Sequence, residues 1–162
     1  MIHLEKVNWD SVNDVIKLRI NKEQKGFVAP NRDSIMDAYF AISEENMKVF
    51  PYGIYLGNKP VGFIMFATNV PWAETYYGLK SEYYYIWRFM IDKKYQGKGY
   101  GREAMKQVIE LIKTYPAGKT DYCWLSYEPE NEIARKLYLS LGFEERIDLY
   151  KENMEIPAVL KL

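Results

Sequence analysis

One segment of the chain restricts the fold more than any other, because it joins a strand-like run to a helix through a glycine-rich loop. Residues Tyr83 to Ile91 are largely aromatic and aliphatic, which predicts a central strand. The loop Gln96 to Arg102 follows, and after it apolar residues recur at helical spacing, namely Ala104, Met105, Val108, Ile109 and Ile112. A strand that turns through glycines into an amphipathic helix indicates an α/β domain.

The loop itself has the chemistry of a phosphate site. Gly97, Gly99 and Gly101 stand at alternate positions, so the backbone can turn sharply and direct successive N–H groups outward. The start of the next helix adds unpaired N–H donors and the positive end of its dipole, which suits a pyrophosphate. Lys98 and Arg102 would supply countercharge. The alternative is a glycine-rich turn that only joins strand to helix.

Two familiar phosphate loops do not fit this segment. The dinucleotide pattern G-x-G-x-x-G requires a third glycine where Arg102 stands, and no opening β-α-β unit precedes the loop. The nucleoside-triphosphate loop requires a lysine followed by Ser or Thr, and Lys98 is followed by Gly99.

Hydrophobic periodicity predicts the remaining elements. Strands are expected at residues 2–4, 52–56, 61–67 and 122–127, with a closing pair at 147–150 and 154–162. The first of three further helices starts after Asn8 or Asp10 and runs to Ile20. The second starts near Asn31 or Ser34 and is expected to bury Ile35, Ala38, Tyr39 and Ile42, and the third spans 131–141 and stops at Gly142.

Composition excludes several classes of protein. The chain has 162 residues, which predicts one domain over 1–162, and its 22 basic and 22 acidic residues cancel, which argues against nucleic-acid binding. No apolar run is long enough to cross a membrane and no secretory signal is visible, so we expect a cytoplasmic protein. A lone Cys123, expected to be buried, and a lone His3 predict neither a disulfide nor a metal site.

Two blocks of sequence together resemble the GNAT superfamily of acyl-CoA-dependent N-acyltransferases. The first runs from Phe89 to Asp92 and continues as Tyr95–Gly101, and the second contains Asn131, Ala134–Tyr138 and Leu141–Phe143. The stretch from Glu23 to Pro30, with Ser34 and Ala38-Tyr39 beyond it, further resembles bacterial spermine/spermidine acetyltransferases. The resemblance implies a central mixed, mostly antiparallel twisted sheet flanked by about four helices, and it leaves a homodimer open.

The resemblance also implies acetyl-CoA as co-substrate and a set of residues that bind it. In that family the strand before the loop diverges from its neighbour and pairs with the pantetheine arm, and a backbone N–H near Met90 or Ile91 polarises the thioester oxygen. The positions that the resemblance assigns to acetyl-CoA are Phe89, Met90, Ile91, Gln96, Gly97, Lys98, Gly99, Tyr100, Gly101, Arg102 and Asn131. Asn131 can equally be a helix N-cap, and the two roles are compatible.

Tyr138 is the predicted catalytic side chain. It follows Asn131 by seven positions, or two helical turns, so both project from one helix face. A phenol near pKa ~10 can protonate a leaving thiolate whose conjugate acid has a pKa near ~8.5, at a cost of about 2 kcal/mol. The alternative is a tyrosine that only packs in the core.

The acceptor is expected to be a small primary amine, with a polyamine favoured over a protein, an antibiotic or an amino acid. Related polyamine enzymes often carry a carboxylate four residues before the position of Ile91, where this chain has Trp87. Glu74 and Glu82 are the nearest substitutes. Tyr83, Tyr85 and Trp87 alternate along one face of the strand and could form an aromatic wall for a cationic chain, with core packing as the alternative, and Phe27 is a further candidate contact. Without a carboxylate on the strand, a CoA-binding sensor that lacks turnover remains the alternative of a different class.

Overall fold

A single twisted sheet extends through the computed structural model, which describes residues 1–162. Its strands are β1 (Ile2–Lys6), β2 (Lys48–Leu56), β3 (Lys59–Thr68), β4 (Tyr84–Ile91), β5 (Tyr122–Tyr127), β6 (Glu144–Glu145) and β7 (Ile156–Lys161). They lie in the order β1-β2-β3-β4-β5-β7-β6. All neighbours are antiparallel except β4 and β5, so the mixed, mostly antiparallel sheet is confirmed.

Five α-helices cover the two faces of the sheet, where about four were expected. They are α1 (Val12–Val15), α2 (Asn31–Glu44), α3 (Trp72–Tyr77), α4 (Tyr100–Ile112) and α5 (Glu132–Ser140), and two short 3-10 helices lie at Lys22–Gln24 and Ile147–Leu149. α4 buries the five apolar residues predicted from its periodicity. No helix has both the length and the apolar character needed to cross a membrane.

β4 contains a bulge that changes which side chains face α2. Met65 of β3 pairs with Arg88 and Phe66 pairs with Ile86, so Trp87 is the extra residue. Arg88 reaches Ser34 and Asp37 of α2, and Trp87 packs against the core beneath α2 and α3. Two successive side chains therefore share one face, which the alternation of a regular strand does not allow.

β4 and β5 separate soon after they meet. Their parallel pairing is limited to Tyr84 with Cys123 and Tyr85 with Trp124. A bulge increases the local twist of a strand, and the bulged residue Trp87 lies just beyond the last of these pairs. The sheet therefore opens into a V between the two strands.

Two predicted elements differ from the structure, and one helix was not predicted. The helix expected to reach Ile20 ends at Val15, because the N–H of Arg19 donates to the Asp92 carboxylate (2.8 Å) and its carbonyl accepts from the N–H of Lys93 (2.8 Å). The closing strand expected at 147–150 is a 3-10 helix, and β7 pairs along its length with β5 instead. The helix α3 was not predicted, since no helical pattern was recognised in 72–77.

The buried face of α2 is also displaced from the prediction. Ala38 is buried as expected, but Tyr39 and Ile42 are 67% and 53% exposed. The face against the sheet consists of small side chains, namely Asn31, Ser34, Ala38 and Ala41. Small residues bring the helix backbone close to the sheet. Ile35 packs partly buried against the core, whereas Met36, Tyr39, Phe40 and Ile42 are exposed.

Candidate active site

A cleft of about 500 Å³ lies where β4 and β5 separate. The loop before α4 borders it on one side, the segment before α2 borders it on another, and α5 closes its end. Eleven of the predicted site residues line it, namely Phe27, Trp87, Phe89, Met90, Ile91, Gln96, Gly97, Tyr100, Gly101, Asn131 and Tyr138. The fold thus brings together sequence positions more than a hundred residues apart.

The glycine loop leaves open space where a phosphate group would lie. Gly97 and Gly99 have φ of +73° and +82°, and a Cβ added at either position would meet no atom within 4 Å. No side chain caps α4, which starts at Tyr100, so its first N–H groups have no side-chain acceptor. A Cβ on Gly101 would come 3.4 Å from the Phe89 ring. The lack of a side chain at Gly101 therefore lets α4 lie close to β4. This arrangement fits a pyrophosphate.

The polar side chains of the loop, predicted to contact acetyl-CoA, make contacts within the protein instead. The Gln96 amide donates to Gln24 (2.8 Å) and to the carbonyl of Ile91 (2.9 Å), and it accepts from Asn21 (2.9 Å). Gln96 therefore joins the loop to the segment before α2. Lys98 and Arg102 do not line the cleft, since the Lys98 ammonium lies over the Tyr95 ring and Arg102 donates to Ser140.

Tyr138 occupies the closed end of the cleft. It is 8% exposed, its ring packs against Tyr127 and Phe143, and its hydroxyl makes no hydrogen bond within the protein. Burial raises the pKa of this hydroxyl well above its usual value, and the carboxylate of Glu155 adds to the effect. The phenol therefore holds its proton at neutral pH. Asn131 caps α5 by accepting from the N–H of Ala134 at 3.3 Å.

The raised tyrosine pKa values predict a loss of stability in alkali. Burial raises the pKa of Tyr85 as well as that of Tyr138, so the folded protein keeps two protons that the unfolded chain loses above pH ~10. Their stabilising contribution is complete below about pH 10 and decreases as the pH rises further. We expect these two groups to lower the free energy of unfolding by about 3 kcal/mol per pH unit there, measured by urea denaturation.

The double variant Tyr85→Phe, Tyr138→Phe isolates these two groups from the other buried tyrosines. Its free energy of unfolding should fall less steeply in alkali than that of the wild type, by about the same 3 kcal/mol per pH unit. Identical slopes for both proteins would contradict this assignment.

Trp87 and Phe27 give the cleft an aromatic lining, and Arg88 beside them is a cation with an acidic partner. The guanidinium of Arg88 lies 4.9 Å from the centre of the Trp87 ring and donates to Asp37 (3.3 Å) and Ser34 (3.2 Å). Phe27 completes this side of the cleft. The charge of Arg88 is therefore offset from outside the cleft.

Three residues predicted to contact the acceptor amine lie outside the cleft. Tyr85 stacks on Trp124 (4.0 Å between ring centres) in the core beneath α3, so its ring does not line the cleft. Glu74 on α3 and Glu82 before β4 are solvent-exposed and lie outside the cleft. Tyr83 also packs outside the cleft, against Tyr122, so Trp87 is the one residue of the predicted wall that lines the cleft, together with Phe27.

Sequence reasoning missed Ser126, Tyr127 and Glu155, which line the cleft from β5 and from the residue before β7. Ser126 donates to Glu155 (2.5 Å), and Tyr127 donates to Glu145, which also accepts from Arg135. A serine within the apolar run of β5 was the one available signal. Nothing in the local sequence distinguishes Glu155 from the other acidic residues near the end of the chain.

A glycine-rich loop beside two diverging strands is the arrangement that the sequence resemblance predicted. A family model described as the acetyltransferase (GNAT) family matches residues 18–143. The chain belongs to the GNAT acetyltransferase family. This GNAT protein is therefore an acetyltransferase, as the two sequence blocks indicated.

Relatives of this GNAT protein include two from Bacillus subtilis. The spermine/spermidine N(1)-acetyltransferase of strain 168 and a probable spermine N(1)-acetyltransferase of subspecies natto (strain BEST195) are each 28% identical to it over 144 residues, or 88% of both chains. Among solved structures, a PaiA N-acetyltransferase from Thermoplasma acidophilum in complex with coenzyme A has a TM-score of 0.68 at 14% identity, covering 100% of this chain and 99% of that one. The structural likeness supports the fold.

Proposed function

We propose that this GNAT protein transfers the acetyl group of acetyl-CoA to a primary amine of a polyamine such as spermidine or spermine, by direct attack in a ternary complex. The observation that carries the proposal is the protonated, unpartnered hydroxyl of Tyr138 at the end of a cleft that begins at a glycine loop. The acyltransferase domain that we propose comprises residues 1–162.

Acetyl-CoA would be held by backbone groups along the V between the strands. Gly97, Gly99 and the first turn of α4 would bind the pyrophosphate, and residues 89–91 of β4 would pair with the pantetheine arm. A β4 N–H near Met90 or Ile91 would stabilise the charge that develops on the thioester oxygen. Tyr138 would then donate its proton to the leaving thiolate.

Charge in the cleft favours a cationic acceptor. Arg88 and Glu155 are the charged residues that line it, and Arg88 is paired with Asp37 while no cation pairs with Glu155. The uncompensated charge is thus a carboxylate, which attracts a cationic acceptor. The two relatives from Bacillus subtilis carry names that point to the same class of acceptor.

The proposal is tested by comparing acceptors in the presence of acetyl-CoA, with mass detection of the product. We expect kcat/KM for spermidine to exceed that for butylamine about tenfold or more, because butylamine lacks the additional ammonium groups that the cleft attracts. Raising the ionic strength should increase the KM for spermidine more than that for butylamine, since salt screens the attraction.

Amino acids, a peptide with a free N-terminus and an aminoglycoside complete the panel. Equal kcat/KM for spermidine and butylamine would contradict a polyamine acceptor, and a preferred member of the panel would replace it. CoA binding without thiol release for any amine would identify a sensor.

A further inference from the structure

A single carboxylate faces the cleft without a cationic partner. Glu155 lies directly before β7 and lines the same cleft as Tyr138. It takes part in no salt bridge, and one of its oxygens, Oε2, accepts the hydrogen bond from Ser126. The other oxygen, Oε1, makes no hydrogen bond within the protein and is free for a ligand.

Hydrogen bonds from the core hold the carboxylate of Glu155 in position. Ser126 Oγ lies 2.5 Å from Glu155 Oε2 and 3.4 Å from the hydroxyl of Tyr85. Because the Ser126 proton goes to Glu155, Tyr85 donates to Ser126. Tyr85, the first donor in this series of hydrogen bonds, is held in the core because its ring stacks on Trp124. A carboxylate oriented in this way needs no rearrangement to meet a substrate group.

β4 offers no competing base. Trp87 and Arg88 are the residues of β4 that line the cleft where a carboxylate was expected, and Glu74 and Glu82 lie outside the cleft. The titratable groups near Glu155 on the surrounding elements are Tyr77, Tyr85, Tyr138 and Glu128. Arg88 lines the same cleft. None of these is a carboxylate that lines the cleft, so Glu155 is the one carboxylate placed to accept a proton there.

We propose that Glu155 is the catalytic base that removes a proton from the acceptor ammonium. This inference rests on the proposed function. The ammonium N–H proton passes to Glu155 and then to water in the cleft, and the freed nitrogen lone pair forms the bond to the acyl carbon. As the carbon–sulfur bond breaks, the thiolate takes the Tyr138 proton, and the second nitrogen proton returns to Tyr138 through water.

Two amines of nearly equal shape separate this role from a structural one. Ethylamine is about one part in a thousand neutral at pH 7, like other alkylamines, whereas trifluoroethylamine is mostly neutral and has no proton to lose before it attacks. We expect Glu155→Gln to lower kcat for ethylamine and spermidine about 100-fold or more. For trifluoroethylamine we expect a loss of less than about fivefold.

Glu128→Gln is the matched control, because Glu128 is a neighbouring carboxylate that does not line the cleft. It should change kcat for both amines by less than about threefold. Calorimetry with CoA verifies that each variant is folded. Should Glu155→Gln fail to fold, Ser126→Ala leaves the carboxylate in place and should lower kcat for ethylamine more than for trifluoroethylamine.

Equal losses of kcat for the two amines would overturn the inference, as would a rise in KM with kcat retained, which would make Glu155 an anchor for the ammonium only. The two proposals can fail separately. If kcat/KM for spermidine does not exceed that for butylamine, but Glu155→Gln lowers kcat for ethylamine more than for trifluoroethylamine, the polyamine is rejected and Glu155 is kept as the base. A wild-type protein that acetylates no amine would overturn both proposals.

Discussion

Replacing Tyr138 by phenylalanine is expected to lower kcat about 10²–10⁴-fold at saturating acetyl-CoA and amine. The substitution removes only the hydroxyl, which holds its proton and has no partner within the protein. Steady-state kinetics across the pH range measures the loss. The affinity for CoA, measured by calorimetry, should change little, because in the proposed mechanism the proton is needed only when the carbon–sulfur bond breaks.

The packing of this helix should survive the substitution. The Tyr138 ring keeps its contacts with Tyr127 and Phe143, so the free energy of unfolding should change by about 1 kcal/mol or less. Tyr52→Phe is the matched control, since Tyr52 is also buried and also lacks a hydrogen bond, but lies outside the cleft. Wild-type kcat in Tyr138→Phe would assign this tyrosine to the core and leave the thiolate to another proton donor.

Gly99→Val should weaken CoA binding at least about 100-fold, since two charge-assisted hydrogen bonds of ~1.5 kcal/mol each would be lost. The new side chain would enter the open space at the start of α4, and a β-branched residue does not readily adopt φ of +82°. Calorimetric titration with CoA measures the effect.

A second glycine separates strain from loss of the ligand site. Gly57 has φ of +57° and open space around it, but it lies in the turn between β2 and β3. Gly57→Val should lower stability and leave the CoA affinity within about twofold. An unchanged CoA affinity in folded Gly99→Val would remove this loop from the binding site.

The parts of the molecule that follow from local chemistry were predictable. α4 buries the five apolar positions that its period indicates, and β4 begins one residue after the predicted start. The loop between them has the positive φ values that glycine permits. In each case the physical cause lies within about ten residues of sequence.

The features that depend on distant contacts were not predictable. α1 stops early because the carboxylate of Asp92, in the turn after β4, accepts a hydrogen bond from the Arg19 N–H. Arg88 reaches α2 only because a bulge repeats one face of β4. Glu155 enters the cleft because β7 pairs with β5 and carries it beside Ser126. No local pattern contains these pairings.

The gap between β4 and β5 has a consequence for handling the protein. Beyond Tyr85, the backbone of β4 that faces β5 has no neighbouring strand, and unpaired strand groups are templates for aggregation. In the proposed complex the pantetheine arm would cover this edge, so we expect the ligand-free protein to self-associate more readily during concentration and storage. Free CoA at about 100 times its Kd would add ~2.7 kcal/mol to the folded state and protect that edge.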